Sequence, residues 1–103
     1  PFEYVNQQGL LPLLRRFRAL YPHKDVWCYT GYDFEKDIQE KMMVMWPETS
    51  EMLRYIDILV DGEFEMDKKD LSLRFRGSSN QRIINVKQSL AENKVCLEEE
   101  FYK

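Results

Sequence analysis

Apolar side chains recur at three- and four-residue spacing from Leu10 to Leu20, at Leu10, Leu13, Leu14, Phe17 and Leu20. That period puts them on one face, so residues 10–20 are expected to form an amphipathic helix. Pro12 fits its first turn, where a missing N–H costs no bond. Arg15, Arg16 and Arg18 lie mostly off the apolar face and suit the negative end of the helix dipole. Tyr21-Pro22-His23-Lys24 ends the helix, and Asp25 to Thr30 reads as a short buried strand stopping at Thr30-Gly31-Tyr32. A second helix is expected over residues 33–41 with Asp33 as its N-cap. Met42 to Trp46 is an apolar cluster, and Thr49 or Ser50 can cap a short helix carrying Met52, Leu53 and Tyr55.

Ile56 to Val60 is the clearest strand, nearly continuous in apolar residues as parallel strands covered on both faces are. It ends in Asp61-Gly62. Residues 63–72 are charged and predict a loop, Leu73 to Phe75 a short strand, and Gly77-Ser78-Ser79-Asn80 a turn. Ile83, Ile84, Val86 and Leu90 fit either a strand or a helix, and Val95-Cys96-Leu97 fits a last edge strand. Helix, strand, helix, strand predicts an α/β fold of parallel strands joined by crossover helices. No internal repeat is visible.

Composition narrows the class. The chain has 103 residues, 44% hydrophobic and 14% aromatic, with only four Gly and four Pro. That suits one small domain over residues 1–103, neither disordered nor of low complexity. The apolar runs are far short of the about 20 residues a membrane span needs. No basic-then-apolar leader opens the sequence, so a cytoplasmic location without membrane contact is expected. The sequence begins at Pro1 rather than Met and is expected to be processed, cut or partial.

The two cysteines, Cys28 and Cys96, have no metal spacing, and a two-cysteine chain of this kind is expected to stay reduced. One histidine, His23, and two scattered cysteines cannot supply the four ligands of a structural zinc site. The net charge of −3 is unevenly spread: residues 33–70 hold twelve acidic and five basic side chains, residues 71–94 one acidic and five basic. The basic block is Arg74, Arg76, Arg82, Lys87 and Lys94. It is modest and borders an acidic one, which predicts a local anion or partner site rather than a nucleic-acid surface.

Ligands of open α/β sheets bind beyond the carboxyl ends of the strands. Two strands here end in small or polar residues, Thr30-Gly31 and Asp61-Gly62, and Gly77-Ser78-Ser79-Asn80 can add a third wall. The residues alone support a polar small-molecule site. They equally support plain turns at Gly31 and Gly62 with Asp61 capping backbone N–H groups.

Three strings carry a family resemblance: Asp25-Val26-Trp27-Cys28-Tyr29-Thr30-Gly31-Tyr32, Val60-Asp61-Gly62-Glu63-Phe64, and Asp70 through Arg82, with Arg-Gly-Ser-Ser-Asn-Gln-Arg the most specific part. Together they resemble the activating proteins of anaerobic (class III) ribonucleoside-triphosphate reductase, which are small radical S-adenosylmethionine enzymes. The resemblance runs from about Leu10 to Leu97. It implies a partial α/β barrel related to the TIM barrel, truncated at its N-terminus. It also implies a [4Fe–4S] cluster on a C-x3-C-x2-C motif, with S-adenosylmethionine on the open iron. One-electron cleavage then yields a radical that abstracts hydrogen from a glycine of the reductase, with a low-potential donor such as flavodoxin.

The sequence departs from that pattern, because it has no C-x3-C-x2-C. In the family the motif lies upstream and is followed by Gly-Gly-Asp/Glu-Pro, and Pro1 resembles that proline. The resemblance therefore implies the C-terminal part of an activase, holding no catalytic or metal-binding residue and binding no cofactor when alone. By position, it assigns Thr30, Gly31, Tyr32, Asp61, Gly62, Ser79 and Asn80 to the cofactor wall. Arg76, Gln81 and Arg82 are assigned to the reductase. A strand edge left open by the missing part predicts pairing between two copies. A non-catalytic binding module and an activase of another glycyl-radical enzyme are the alternatives.

Overall fold

The computed structural model describes residues 1–102. Helix α1 spans Tyr4–Leu20, starting six residues before the apolar spacing predicts. The extra turns are held by Gln7, a polar residue with no exposed surface. Its side-chain amide donates to the Phe2 carbonyl at 2.8 Å and accepts from the Thr49 hydroxyl at 2.7 Å. Burying a polar side chain is tolerable only with such partners. Pro12 consequently sits inside the helix rather than in its first turn. It lies on the exposed side, where the carbonyl it leaves unpaired meets water.

Strand β1 (Trp27–Tyr29) follows. Asp33 caps the next helix as expected, its carboxylate accepting from the Lys36 N–H at 2.8 Å. That helix, Phe34–Met42, winds wide, with the Ile38 N–H reaching back five residues to the Asp33 carbonyl. It continues as α2 (Met43–Met45). Helix α3 (Pro47–Tyr55) starts at its proline rather than at a Thr49 or Ser50 cap, because Thr49 is buried against Gln7. Strand β2 is Ile58–Asp61 and β3 is Arg82–Asn85, which leads into α4 (Val86–Glu92). The ambiguous stretch from Arg82 to Leu90 is thus strand and then helix. Asn85 makes the change by accepting from the Gln88 N–H at 2.9 Å.

The sheet order is β1-β2-β3. β1 and β2 are parallel, with Trp27 opposite Ile58 and Tyr29 opposite Val60. β2 and β3 are antiparallel, with Ile58 opposite Asn85 and Asp61 opposite Arg82. This corrects the expectation of parallel strands throughout. A parallel return needs a crossover, usually a helix, and residues 62–81 supply only the single 3₁₀ turn Met66–Lys68. Leu73 to Phe75 is not a strand; Phe75 sits at φ 67° in a turn. Val95 to Leu97 contributes only an isolated bridge from Leu97 to Ile84.

Alternation along the strands divides two cores. Leu59 and Ile84 face the helices, packing with Phe2, Leu11, Phe34, Ile38, Met52, Leu53 and Val86. Ile58, Val60 and Ile83 face the other way, against Trp27 and Phe101. At the amino end of β2, Asp57 accepts from the Val26 N–H at 2.9 Å and pairs with Arg18 and Lys87. Burial acts to raise its pKa, but the Val26 N–H, Lys87 and Arg18 outweigh it and the pKa is lowered. No helix among the described residues is long and apolar enough to cross a membrane.

Candidate functional site

Strands β1 and β2 end side by side, and their continuations hold each other. The Thr30 N–H donates to the Val60 carbonyl and the Gly62 N–H to the Tyr32 carbonyl, each at 3.0 Å. Thr30 turns its hydroxyl inward to accept from the Tyr32 N–H at 3.2 Å. Gly62 adopts φ 93°, a region open to glycine and costly for any side chain. A Cβ there would meet no atom closer than 3.7 Å, so conformation rather than space demands the glycine. Gly62→Ala is therefore expected to destabilise the chain by about 1–2 kcal/mol, measured by urea denaturation. An unchanged midpoint would contradict the assignment of strain to this residue.

Beyond these strand ends lie two adjoining clefts of about 280 and 360 Å³, both bordered by Gly31 and Gly62. The first is lined also by Thr30, Tyr29, Phe64 and Gln81. The second is lined by Asp61, Asn80, Arg82 and the carboxylates of Asp33, Asp37, Glu63 and Glu65. It is therefore an acidic site holding one guanidinium.

That guanidinium is engaged by acids through Nε and Nη2. Arg82 Nε and Nη2 donate to the two Asp61 oxygens at 3.0 and 2.6 Å. Nη2 also donates to Glu35 at 2.6 Å, with Asp33 at 3.8 Å. These partners, Asp61 foremost, raise the pKa of Arg82. Asp61 is 1% exposed and takes a further bond from the Phe34 N–H at 2.8 Å. It thus joins β2, β3 and the start of the Phe34–Met42 helix.

The 76–82 loop is tied by its own side chains. Gln81 accepts from the Gly77 and Ser78 N–H groups and donates to the Gly62 carbonyl at 3.0 Å. Asn80 donates to the Glu63 carbonyl at 2.8 Å, while its buried Oδ1 has no partner among the described residues. Arg76 donates to the Gln81 carbonyl at 3.1 Å and lies over the Tyr102 ring at 4.5 Å.

Of the residues expected at the cofactor wall, Thr30, Gly31, Asp61, Gly62 and Asn80 converge on the clefts. Tyr32 instead packs its ring on the main core. Ser79 is exposed and uses its N–H on the Lys68 carbonyl. Ser78, which the sequence places in the third wall but the resemblance does not assign to the cofactor, is the buried hydroxyl of the pair and accepts from the Glu65 N–H. Arg76 and Arg82, expected to face a partner, are both engaged within the chain, and Gln81 holds the loop to Gly62. The acidic lining was missed residue by residue, although the excess of acid over residues 33–70 was its signal.

The same residues do not accommodate an iron–sulfur cluster. Burial pushes the Cys28 thiol up to about 11, away from the thiolate a metal requires. Cys96 lies beyond α4, at the opposite end of the sheet order. Among the described residues no three His, Cys, Asp or Glu are grouped to hold a metal.

The chain is a mixed α/β unit with an acidic cleft at its strand ends. The sequence profile of the 4Fe-4S single cluster domain family matches residues 1–84, and the chain belongs to that family. It is 39% identical over 84 residues to the anaerobic ribonucleoside-triphosphate reductase-activating protein of Haemophilus influenzae, covering 81% of this chain and 48% of the relative. The protein of that name from Escherichia coli K12 is 41% identical over 81 residues, 79% of this chain and 47% of the relative. That of phage T4 is 37% identical over 83 residues, 81% of this chain and 46% of the relative. The chain thus spans about half the length of the curated relatives it matches. No solved structure matches it.

Proposed function

We propose that residues 1–103 are the cofactor-cleft part of a radical S-adenosylmethionine activase of anaerobic ribonucleoside-triphosphate reductase. The three-stranded sheet is then one portion of a partial barrel, and the cluster cysteines come from outside these residues. The observation that carries the reading is the pair of adjoining clefts at the β1 and β2 ends, the second of them acidic and lined also by Asn80. S-adenosylmethionine is a cation at sulfur, with an ammonium group, ribose hydroxyls and an adenine amine. Those groups need carboxylates and neutral acceptors, which this cleft offers. When bound, the cofactor supplies the radical chemistry.

The chain's own residues bind and orient. Gly31 and Gly62 let a ligand approach the backbone. Asp61 and Arg82 fix the wall, and Asn80 offers an acceptor. Arg76, Gln81 and Arg82 shape the loop from within, so the surface offered to the reductase is the loop they hold. Flavodoxin is the class of donor that fits a low-potential step in the cytoplasm. The free edge of β1 is a place where two copies can pair.

Competition tests the reading. Excess residues 1–103, added anaerobically to a complete activase and its reductase, are expected to lower the glycyl-radical signal in electron paramagnetic resonance. An undiminished signal at large excess would count against a reductase-facing surface on this chain.

A further inference from the structure

Residues 96–102 lie beyond the span matched by the family profile, which ends at residue 84. They are nonetheless attached to the sheet. The Asn85 N–H donates to the Cys96 carbonyl at 2.8 Å, and the Glu98 N–H to the Ile83 carbonyl at 2.9 Å. The segment therefore runs antiparallel along the outer edge of β3. The 3₁₀ turn Glu99–Tyr102 then folds over the sheet face that the helices leave open.

Two aromatic rings end this turn. Phe101 meets Trp27 at 5.0 Å and Phe75 at 5.3 Å between ring centroids, both edge-on, and covers Ile58, Val60 and Ile83. Tyr102 accepts the Ile83 N–H at 2.6 Å through its hydroxyl, while its ring receives the Arg76 guanidinium.

The contacts converge on one loop. Phe75 holds φ 67°, a conformation that a bulky residue adopts only when its surroundings impose it. Its ring packs on Trp27 at 5.1 Å and Phe101 at 5.3 Å between centroids. Arg76, next in sequence, is held between the Tyr102 ring and the Gln81 carbonyl. Gln81 in turn bonds Gly62 at the shared border of the two clefts. A cleft of about 310 Å³ opens beside Phe101, with Asp25, Asp57, Lys87, Glu98 and Glu100 in its lining.

We propose that residues 96–102 are a latch on the 75–82 loop. Docked, the latch holds Phe75 in its strained turn and Arg76 against Tyr102, which keeps Gln81 on Gly62 and the clefts in their present shape. Undocked, it frees Phe75 to relax and Arg76 to swing out, and the loop loses the tie that positions Gln81. The latch is a two-position element biasing the cleft. It rests on no assumption about what the cleft binds.

Hydrogen exchange on residues 1–103 tests this without any activity. Phe101→Ala is expected to speed exchange of the amides of residues 76–81 and Ile83 at least tenfold, leaving α1 and α3 unchanged. Equal acceleration through α1 and α3 would reduce Phe101 to a general packing residue and overturn the proposal. So would unchanged exchange at residues 76–81. Tyr102→Phe keeps the ring over Arg76 and removes the hydroxyl, so the Ile83 amide is expected to speed up while residues 76–81 do not. An unaltered Ile83 amide would contradict the latch contact.

Discussion

Replacing Asp61 with alanine is expected to remove about 2–4 kcal/mol of stability, measured by urea denaturation. The carboxylate is 1% exposed and meets three donors from two other elements. Its loss strands the Phe34 N–H and leaves Arg82 without its bidentate partner. Removing one member of a fully buried pair costs about 3–5 kcal/mol. The expected loss is smaller because the Arg82 side chain is 31% exposed and keeps Glu35. Asp61→Asn should cost less than alanine, since its amide oxygen still accepts from Phe34. Adding Arg82→Leu to Asp61→Ala should recover part of the loss, because the uncompensated charge is gone. A loss below about 0.5 kcal/mol for Asp61→Ala would contradict the bonding described.

Anaerobic reconstitution of residues 1–103 with iron and sulfide is expected to leave far less than the about four irons per chain of a [4Fe–4S] cluster. The chain has two cysteines, and a cluster on three cysteines cannot be built from them. Cys28 sits in β1, with its thiol pushed up to about 11 by burial. Cys96 lies in the segment along β3, where its backbone, not its sulfur, makes the contacts to Asn85 and Ser89. Cys28→Ser and Cys96→Ser are therefore expected to leave the residual iron unchanged. Stoichiometric iron and sulfide, lost in either variant, would show that the cysteines reach a cluster geometry absent from this structure.

Local signals in the sequence were good where one residue decides an outcome. Asp33 caps a helix because its side chain is short and polar and precedes an apolar period. The run from Ile56 to Val60 lies in or beside β2 because both faces of that strand are covered. Pairwise facts were not legible. Nothing in the sequence of Gln7 shows that Thr49 will meet it, yet that bond extends α1 and sets the start of α3. The direction of β3 depends on what the intervening chain fails to form, and residues 63–81 look alike whether they cross over or turn back. At the site, the glycines and small polar residues legible at the strand ends border the clefts, since strand ends are local. The capture of Arg82 by Asp61 and Glu35 is tertiary, so one member of the basic block turns inward while Arg74, Lys87 and Lys94 stay exposed. The carboxylates of Asp33, Asp37, Glu63 and Glu65 are scattered along the chain, and only the fold brings them together.

The central claim is that the strand-end cleft receives S-adenosylmethionine. Titrating that compound into isotope-labelled residues 1–103, followed by amide shifts in nuclear magnetic resonance, tests it most directly. Against the expectation that residues 1–103 bind no cofactor alone, the acidic cleft is lined wholly by residues of this chain, so saturable shifts, weak without a cluster, are predicted at Thr30, Gly31, Gly62, Asn80 and Gln81 and are smaller in Asn80→Ala. Shifts confined to other surfaces, or none at millimolar ligand, would contradict the claim.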